Sequence, residues 1–323
     1  ERFNWLKNVA GEVIATPGCE SNVKEIFDKC HELDEERGDS IVIFNQFDEF
    51  GNYLWHYNVT GKAIEDLLTQ EGVKAEQLKG YCSTTGSAGT IGAGDYLKQK
   101  YPEVKLVAGE ALQCPTLLNN GFGGHRIEGI GDKHVPWVHN VRNTDMIIAI
   151  DDQDSMDVLR LFNDDAGKEY LKSKGISAEM IEKLPLLGIS GIANVQSAIK
   201  MAKYYEMDEE DVIVTVLTDS EEMYTSRLEE MNTADGKFTT ENAAAVYARS
   251  LMGMGIDNTL ELSYYEKLRV HNLKYYTWVE QQGKTYEEIN AQWYDKKYWT
   301  NIQELTAKID SLIEDFNKDV GIL

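Results

Sequence analysis

Short runs of apolar and β-branched residues alternate along the first two thirds of this chain with longer stretches in which apolar residues recur every three and four positions. The runs are Glu12–Thr16, Ser40–Phe44, Val104–Ala108, Met146–Ile150 and Val212–Leu217, each bounded by turn-forming residues, and each is predicted as a buried strand. Helices are predicted between them over Val23–Glu36, Thr60–Glu71, Thr90–Lys100, Ser155–Lys172 and Ile192–Tyr205. Parallel strands need crossover connections, and crossover helices cover both faces of the sheet. The pattern therefore predicts an α/β fold with parallel-type sheets flanked by helices.

After about Met231 the pattern changes to helices alone, over Thr240–Gly253, Leu262–Gln282 and Tyr286–Phe316, with no comparable strand. Residues 232–323 are expected to form a helical C-terminal extension, too long for a linker. Its aromatic residues, among them Tyr264, Trp278, Trp293 and Trp299, are expected to pack against the α/β body or a second subunit.

Lys and Arg number 32 against 55 Asp and Glu, a formal charge of -23, so the summed field repels a phosphate backbone and nucleic acid is not an expected partner. No apolar run approaches a bilayer span, and residues 1–8 lack the basic start and apolar stretch of an export signal. A soluble, cytoplasmic protein is expected. Cys19, Cys30, Cys82 and Cys114 are scattered, without C-x-x-C pairs, and the six histidines form no H-E-x-x-H. Reduced thiols and no metal site are expected.

The most informative segment is Tyr81–Gly94, which reads as a strand end passing through a small-residue turn into a helix. Gly86, Ala88 and Gly89 leave the backbone accessible, and Ser87 and Thr90 add hydroxyls at a helix N-terminus, where free N–H groups and the macrodipole favour a dianion. The turn has no basic residue and lacks the Lys-Ser/Thr of a Walker A loop. A dinucleotide fold would want G-x-G-x-x-G and an acidic residue about 20 positions on. Glu110 meets the second requirement, but Gly86, Gly89 and Gly92 are spaced three apart.

Six motifs in order resemble the fold-type II (β-family) pyridoxal-phosphate enzymes, the cysteine synthase and tryptophan synthase β-subunit group, and most of all its cysteine-synthase-like branch. Gly11–Gly18 resembles the "GAEV" strand and the turn after it. Phe44-Asn45-Gln46-Phe47, with Asn52, His56 and Thr60-Gly61, resembles the stretch whose glutamine lines the amino-acid site. Gly86-Ser87-Ala88-Gly89-Thr90 stands where the family has G-T-G-G-T, the cofactor-phosphate loop. His125–Gly131 resembles "HKIQGIG", near the substrate mouth, and Gly188–Gly191 resembles "GISSG". Thr218–Tyr224 stands where the family has "PSSGERY", whose first serine faces the pyridine nitrogen.

The resemblance implies pyridoxal 5'-phosphate as cofactor and β-elimination or β-replacement on a β-substituted amino acid, with dimerisation usual. By that correspondence Gly86, Ser87, Ala88, Gly89, Thr90, Gly188, Asp219 and Ser220 would hold the cofactor, and Gln46 and Gly131 would meet the substrate. Asp219 replaces the common serine; aimed at the ring nitrogen it would keep that nitrogen protonated. In the alternative register Ser220 faces the ring and Asp219 caps or is solvated. The correspondence divides the chain into residues 1–60, the remainder of an N-terminal α/β domain; 61–231, the cofactor-binding domain; and the extension.

The family's Schiff-base lysine belongs to an S-x-K-x-R-like motif upstream of "GAEV", and no such motif stands in residues 1–40, where Lys7, Lys24 and Lys29 lie on helical patterns. The opening Glu1 and a helical pattern already under way at Arg2–Val9 are expected of a polypeptide that lacks its N-terminal part. Three readings stay open: a companion chain carries the lysine, the segment has been removed, or the protein is a catalytically silent regulatory or assembly subunit.

Overall fold

In the computed structural model, which describes residues 2–18 and 23–322, the apolar runs from Leu78 onward pair into one five-stranded sheet of order β4-β1-β2-β3-β5. β1 (Leu78–Thr84), β2 (Lys105–Ala111), β3 (Met146–Ile150) and β4 (Val212–Thr215) are parallel, and β5 (Thr259–Glu261) lies antiparallel on β3. Tyr81 stands opposite Leu106, and Val107 opposite Met146.

Before the sheet come α1 (Arg2–Val9), α2 (Lys24–Arg37), α3 (Phe50–Trp55) and α4 (Gly61–Gln70). α5 (Ile91–Lys100) joins β1 to β2, and the short α6 (Thr116–Asn119) follows β2. α7 (Asp152–Asn163), α8 (Asp165–Ser173), α9 (Ala178–Lys183) and α10 (Ile189–Tyr204) lie between β3 and β4. α11 (Thr225–Asp235) and α12 (Thr240–Tyr247) precede β5, and α13 (Tyr264–Asn272), α14 (Tyr286–Tyr294), α15 (Tyr298–Gln303) and α16 (Thr306–Asp319) follow it.

Because successive strand side chains point to opposite faces, each strand serves two layers. Tyr81 and Leu106 pack with Ile64 and Leu68 of α4 and Ala93 and Leu97 of α5. Their neighbours Cys82, Val107 and Ile148 pack with Met156 and Leu159 of α7 and Ile192 and Met201 of α10. The predicted α/β architecture with helices on both faces is the observed one.

Four local expectations are corrected. Glu12–Thr16 and Ser40–Phe44 are not strands: both lie outside every strand, and Val42 and Phe44 are 77% and 87% exposed. Their sequences suit an extended backbone, but a strand exists only when a partner takes its N–H and C=O groups. The helix predicted over Ser155–Lys172 is two, because Asp164 adopts an extended ψ of 144° and caps α8 by accepting from the Ala166 N–H at 3.0 Å. The region after Met231 does contain a strand, the three-residue β5.

The extension packs on the body through its tryptophans. Trp278 is buried and donates from Nε1 to the Val135 carbonyl at 2.8 Å, and buried Trp299 donates to the Gln292 carbonyl at 3.1 Å. Lys274 is fully buried and donates to the carbonyls of Trp137 and His139, both at 2.8 Å, and to Gln292 Oε1 at 2.6 Å. These acceptors are neutral, and burial holds the ammonium well below its ordinary pKa. Cys30, Cys82 and Cys114 are free thiols, and Cys19 lies outside the described residues. No helix among the described residues is long and apolar enough to cross a membrane.

Candidate functional site

From β1 the chain proceeds through α5 to β2 on one side, while β4 lands on the other side of β1. The carboxyl ends of β1 and β4 therefore flank a topological switch point, where open α/β sheets leave a crevice. A cavity of about 130 Å³ opens there, lined by Thr84 and Gly86–Thr90 after β1, by Val216 and Thr218 after β4, by Ser190 and Asn194 of α10, and by His56, Gly129 and Ile130.

The turn is built for close approach to its backbone. Among the described residues, the consecutive N–H groups of Gly86, Ser87, Ala88, Gly89 and Thr90 have no protein acceptor, and the first paired N–H is that of Ile91, to the Ala88 carbonyl at 3.1 Å. Ala88 sits in the left-handed region at φ 61°, which for an alanine costs about 1–2 kcal/mol. An αR-to-αL reversal of this kind turns successive N–H groups into an anion-binding concavity. Glycine is required at 89, where a Cβ would lie 2.2 Å from Asn52 Oδ1, and at 86, where it would lie 2.9 Å from the Gly129 carbonyl oxygen. The lining includes no lysine and no arginine, so an anion here would meet neutral donors and the α5 N-terminus.

Three amide or hydroxyl ties fix this frame. Asn194 accepts from the Thr84 N–H and donates to the Val216 carbonyl, both at 2.7 Å, and so locks the ends of β1 and β4 together. Asn52 Nδ2 donates to the Gln46 carbonyl at 2.8 Å and to Ser87 Oγ at 3.0 Å. The Gly131 N–H donates to the Thr85 carbonyl at 2.7 Å, and the left-handed φ of 72° at Gly131 leaves room for His125, whose Nε2 lies 3.0 Å from the Gly131 oxygen.

The residues singled out in the sequence divide accordingly. Gly86, Ser87, Ala88, Gly89 and Thr90 come together at the cavity. Gly188 stands at the start of α10 with its N–H on the Asp219 carbonyl at 2.9 Å, and a Cβ there would lie 2.2 Å from Asp219 Oδ1. The Asp219 carboxylate takes the Tyr224 hydroxyl, and Ser220 opens the turn over Glu221–Met223. Among the lining residues after β4 the hydroxyl is that of Thr218, 3.3 Å from Ser190 Oγ. Gln46 borders a separate cavity of about 430 Å³ with Phe27, Cys30 and Phe44, and reaches the loop through Asn52. Gly131 is tied to the end of β1 but does not line the cavity.

Glu110 is the main residue given a different place. Its carboxylate is buried and accepts from the Leu117 and Leu118 N–H groups at 2.9 and 2.8 Å, so it caps α6 and is not free to bind a ribose. Burial pushes its pKa up to about 7, against the opposing pull of those N–H groups and of Arg269. Sequence reasoning missed Asn194 and Thr218. A signal for the first was present, since an amide between Ala193 and Val195 in an apolar helix needs buried partners. His56 also lines the cavity; burial lowers its pKa, and its Nδ1 lies 2.9 Å from Thr60 Oγ1.

No family model matches the chain. A cysteine synthase of Staphylococcus aureus is 31% identical over 227 residues, 70% of this chain and 64% of that enzyme. The chain thus spans just under two thirds of that relative's length. A solved hydrogen sulfide-producing enzyme of Fusobacterium nucleatum is 26% identical at a TM-score of 0.54, over 69% of this chain and 66% of that one. A cysteine synthase structure from Entamoeba histolytica has the same fold, with a TM-score of 0.58 and 22% identity over 76% of this chain and 65% of that one. These likenesses and the loop at the switch point agree: the chain belongs to the fold-type II family of pyridoxal-phosphate-dependent enzymes, in its cysteine-synthase-like branch.

Proposed function

We propose that this chain is the larger part of an enzyme that uses pyridoxal 5'-phosphate for β-elimination or β-replacement on a β-substituted amino acid. The observation that carries the proposal is the row of free N–H groups from Gly86 to Thr90, at the start of α5 and in a crevice with no carboxylate, lysine or arginine in its wall. A phosphate fits this donor set: Gly86 and Gly89 supply the space, Ser87 and Thr90 the hydroxyls, and Asn52 holds Ser87 in place. Bound there, the cofactor would supply an electron sink for charge developing at the amino-acid α-carbon.

The chain's own residues bind and orient. Thr218 and Ser190 present hydroxyls from the β4 side, and Gly188 keeps the α10 start clear for the Asp219–Tyr224 pair. That pairing favours Asp219 as a brace for the β4 loop, with Ser220 continuing it. Gln46 and Gly131 lie outside the wall of this cavity but are coupled to the loop through Asn52 and Thr85, and on this reading they would meet the amino acid from the adjoining side.

The reactive amine is assigned to a polypeptide segment outside residues 1–323, on a companion chain or on a segment upstream of these residues. Two features support this: the cavity wall carries no lysine, and Ser40–Phe44 lies outside every strand with Val42 and Phe44 exposed, which suits an added strand. On this reading residues 1–60 belong to an N-terminal α/β domain, 61–231 form the cofactor domain, and 232–323 are an appended helical layer. The free thiols accord with a cytoplasmic setting, and the assembly is a homo-oligomer of such composite units. The absence of lysine from the wall equally favours a second reading, a silent assembly subunit.

Borohydride reduction of the native assembly with added pyridoxal phosphate, followed by peptide mass mapping, separates these readings. A phosphopyridoxyl lysine on another polypeptide, or on a segment upstream of residues 1–323, is the expected result. The label on a lysine of this chain would overturn the assignment of the amine, and no label with no cofactor absorbance would leave the silent subunit.

A further inference from the structure

A second recess lies apart from the phosphate loop and shares no residue with its wall. Here α13–α15 meet the end of α5 and the turn at Asn140–Asn143. Two cavities of about 370 and 470 Å³ open there, and Arg142 and Lys296 border both.

In a chain of net charge -23, four cations, Lys98, Arg142, Lys267 and Lys296, gather around this recess. Arg142 and Lys296 are exposed and form no ion pair among the described residues. Lys98 and Lys267 add two more positive charges but share one carboxylate, Asp145. The one acid in the wall, Asp95, is already satisfied: it accepts from the Tyr53 hydroxyl and Asn140 at 2.7 Å and from Asn143 at 3.0 Å. The recess therefore has local positive excess inside a negative molecule, with guanidinium and ammonium donors that meet no acceptor.

Its walls are aromatic. Tyr264 and Tyr294 are 57% and 65% exposed and border the larger cavity beside Trp293, whose ring centre lies 5.6 Å from that of Tyr264. Trp299 and the amides of Gln99 and Gln303 border the smaller one. Arg142 and Lys296 thus stand where a polar cavity and a ring-walled one meet. Exposed rings offer a planar partner a stacking surface, and a guanidinium grips phosphate oxygens through two N–H groups. A polyanion is disfavoured by the overall charge, whereas a small ligand with a planar ring and a few negative charges is not.

We propose that this recess binds a nucleoside phosphate, with the base against Tyr264 and Tyr294 and the phosphates between Arg142 and Lys296. The site owes nothing to the cofactor reading.

Isothermal titration of the full chain with ADP tests it, alongside tripolyphosphate and adenosine as the two halves of the ligand. Saturable ADP binding is expected, tighter than either half, with pyridoxal-phosphate absorbance undisturbed. Arg142→Ala with Lys296→Ala should weaken it at least ~10-fold, and Tyr294→Ala ~3-fold or more, at unchanged melting temperature. Lys296→Ala alone, at an exposed position, keeps the test valid should the double variant misfold. Absence of saturable binding, parental affinity in the charge variants, or tripolyphosphate binding as tightly as ADP with Tyr294→Ala silent would each overturn the proposal.

Discussion

Residues 61–231 and residues 1–60 contain runs of the same composition, and the chain treats them differently. Met146–Ile150 is β3, fully buried and paired on both edges, whereas Ser40–Phe44 has similar β-branched and apolar content and stands in solvent. The difference lies in the neighbours. β3 has β2 on one edge and β5 on the other, while Ser40–Phe44 and Glu12–Thr16, on either side of α2, meet no strand among the described residues. Strand formation is a property of pairs, and one region has its pairs while the other does not.

The largest expected break in this contrast is at the phosphate loop. Gly89→Val would drive a side chain into Asn52 and close the concavity, and should weaken pyridoxal-phosphate binding by ~100-fold or more in a spectrophotometric titration. Unchanged affinity would show that the loop is not the cradle. Next in size is the core of the paired region: Leu106→Ala, between α4 and α5, should cost about 3 kcal/mol in urea unfolding. A loss under about 1 kcal/mol would mean that this layer is poorly formed.

The third prediction concerns pH. The Glu110 pKa of about 7 stands above its ordinary 4.5, so between those values the folded chain keeps a proton that the unfolded chain has released. Its contribution to stability is greatest below about pH 4.5, falls as pH rises toward 7 and is level above, with an upper bound of about 3 kcal/mol. Glu110→Gln should flatten that slope in chemical denaturation from pH 5 to 8. A slope that survives intact would assign the titration to other buried acids such as Asp132, which burial likewise raises to about 7. Smallest is Phe44→Asp, expected to change the stability of the isolated chain by less than about 0.5 kcal/mol, because the side chain is 87% exposed. A loss comparable to Leu106→Ala would show that Ser40–Phe44 is packed in solution and would erase the contrast between the two regions.

These contrasts also mark what was legible in the sequence. Strands β2 to β4 could be read from their apolar runs, as burial on two faces demands, whereas β1, with Lys79, Gly80 and Ser83 in it, was legible only as the strand end before the small-residue turn. The accessible turn at the switch point could be read because few other needs place Gly86, Ala88 and Gly89 between a strand and a helix. β5 could not, since Thr259–Glu261 is a three-residue edge whose identity comes from lying against β3. The surroundings of Asp219 were equally hidden: Tyr224, five residues on, takes its carboxylate, and only the folded turn brings the two together. Glu110 fitted a spacing rule for ribose binding, yet the nearest free N–H groups at the start of α6 claimed it.

The unpaired stretch Ser40–Phe44 bears on how the protein behaves in a tube. Four consecutive apolar residues, Ile41–Phe44, outside every strand and with no proline or charge among them, form a template for strand-by-strand growth between molecules. The chain expressed alone should therefore lose solubility with concentration by assembly through this stretch, and a lysine at Val42 should act as a gatekeeper against it.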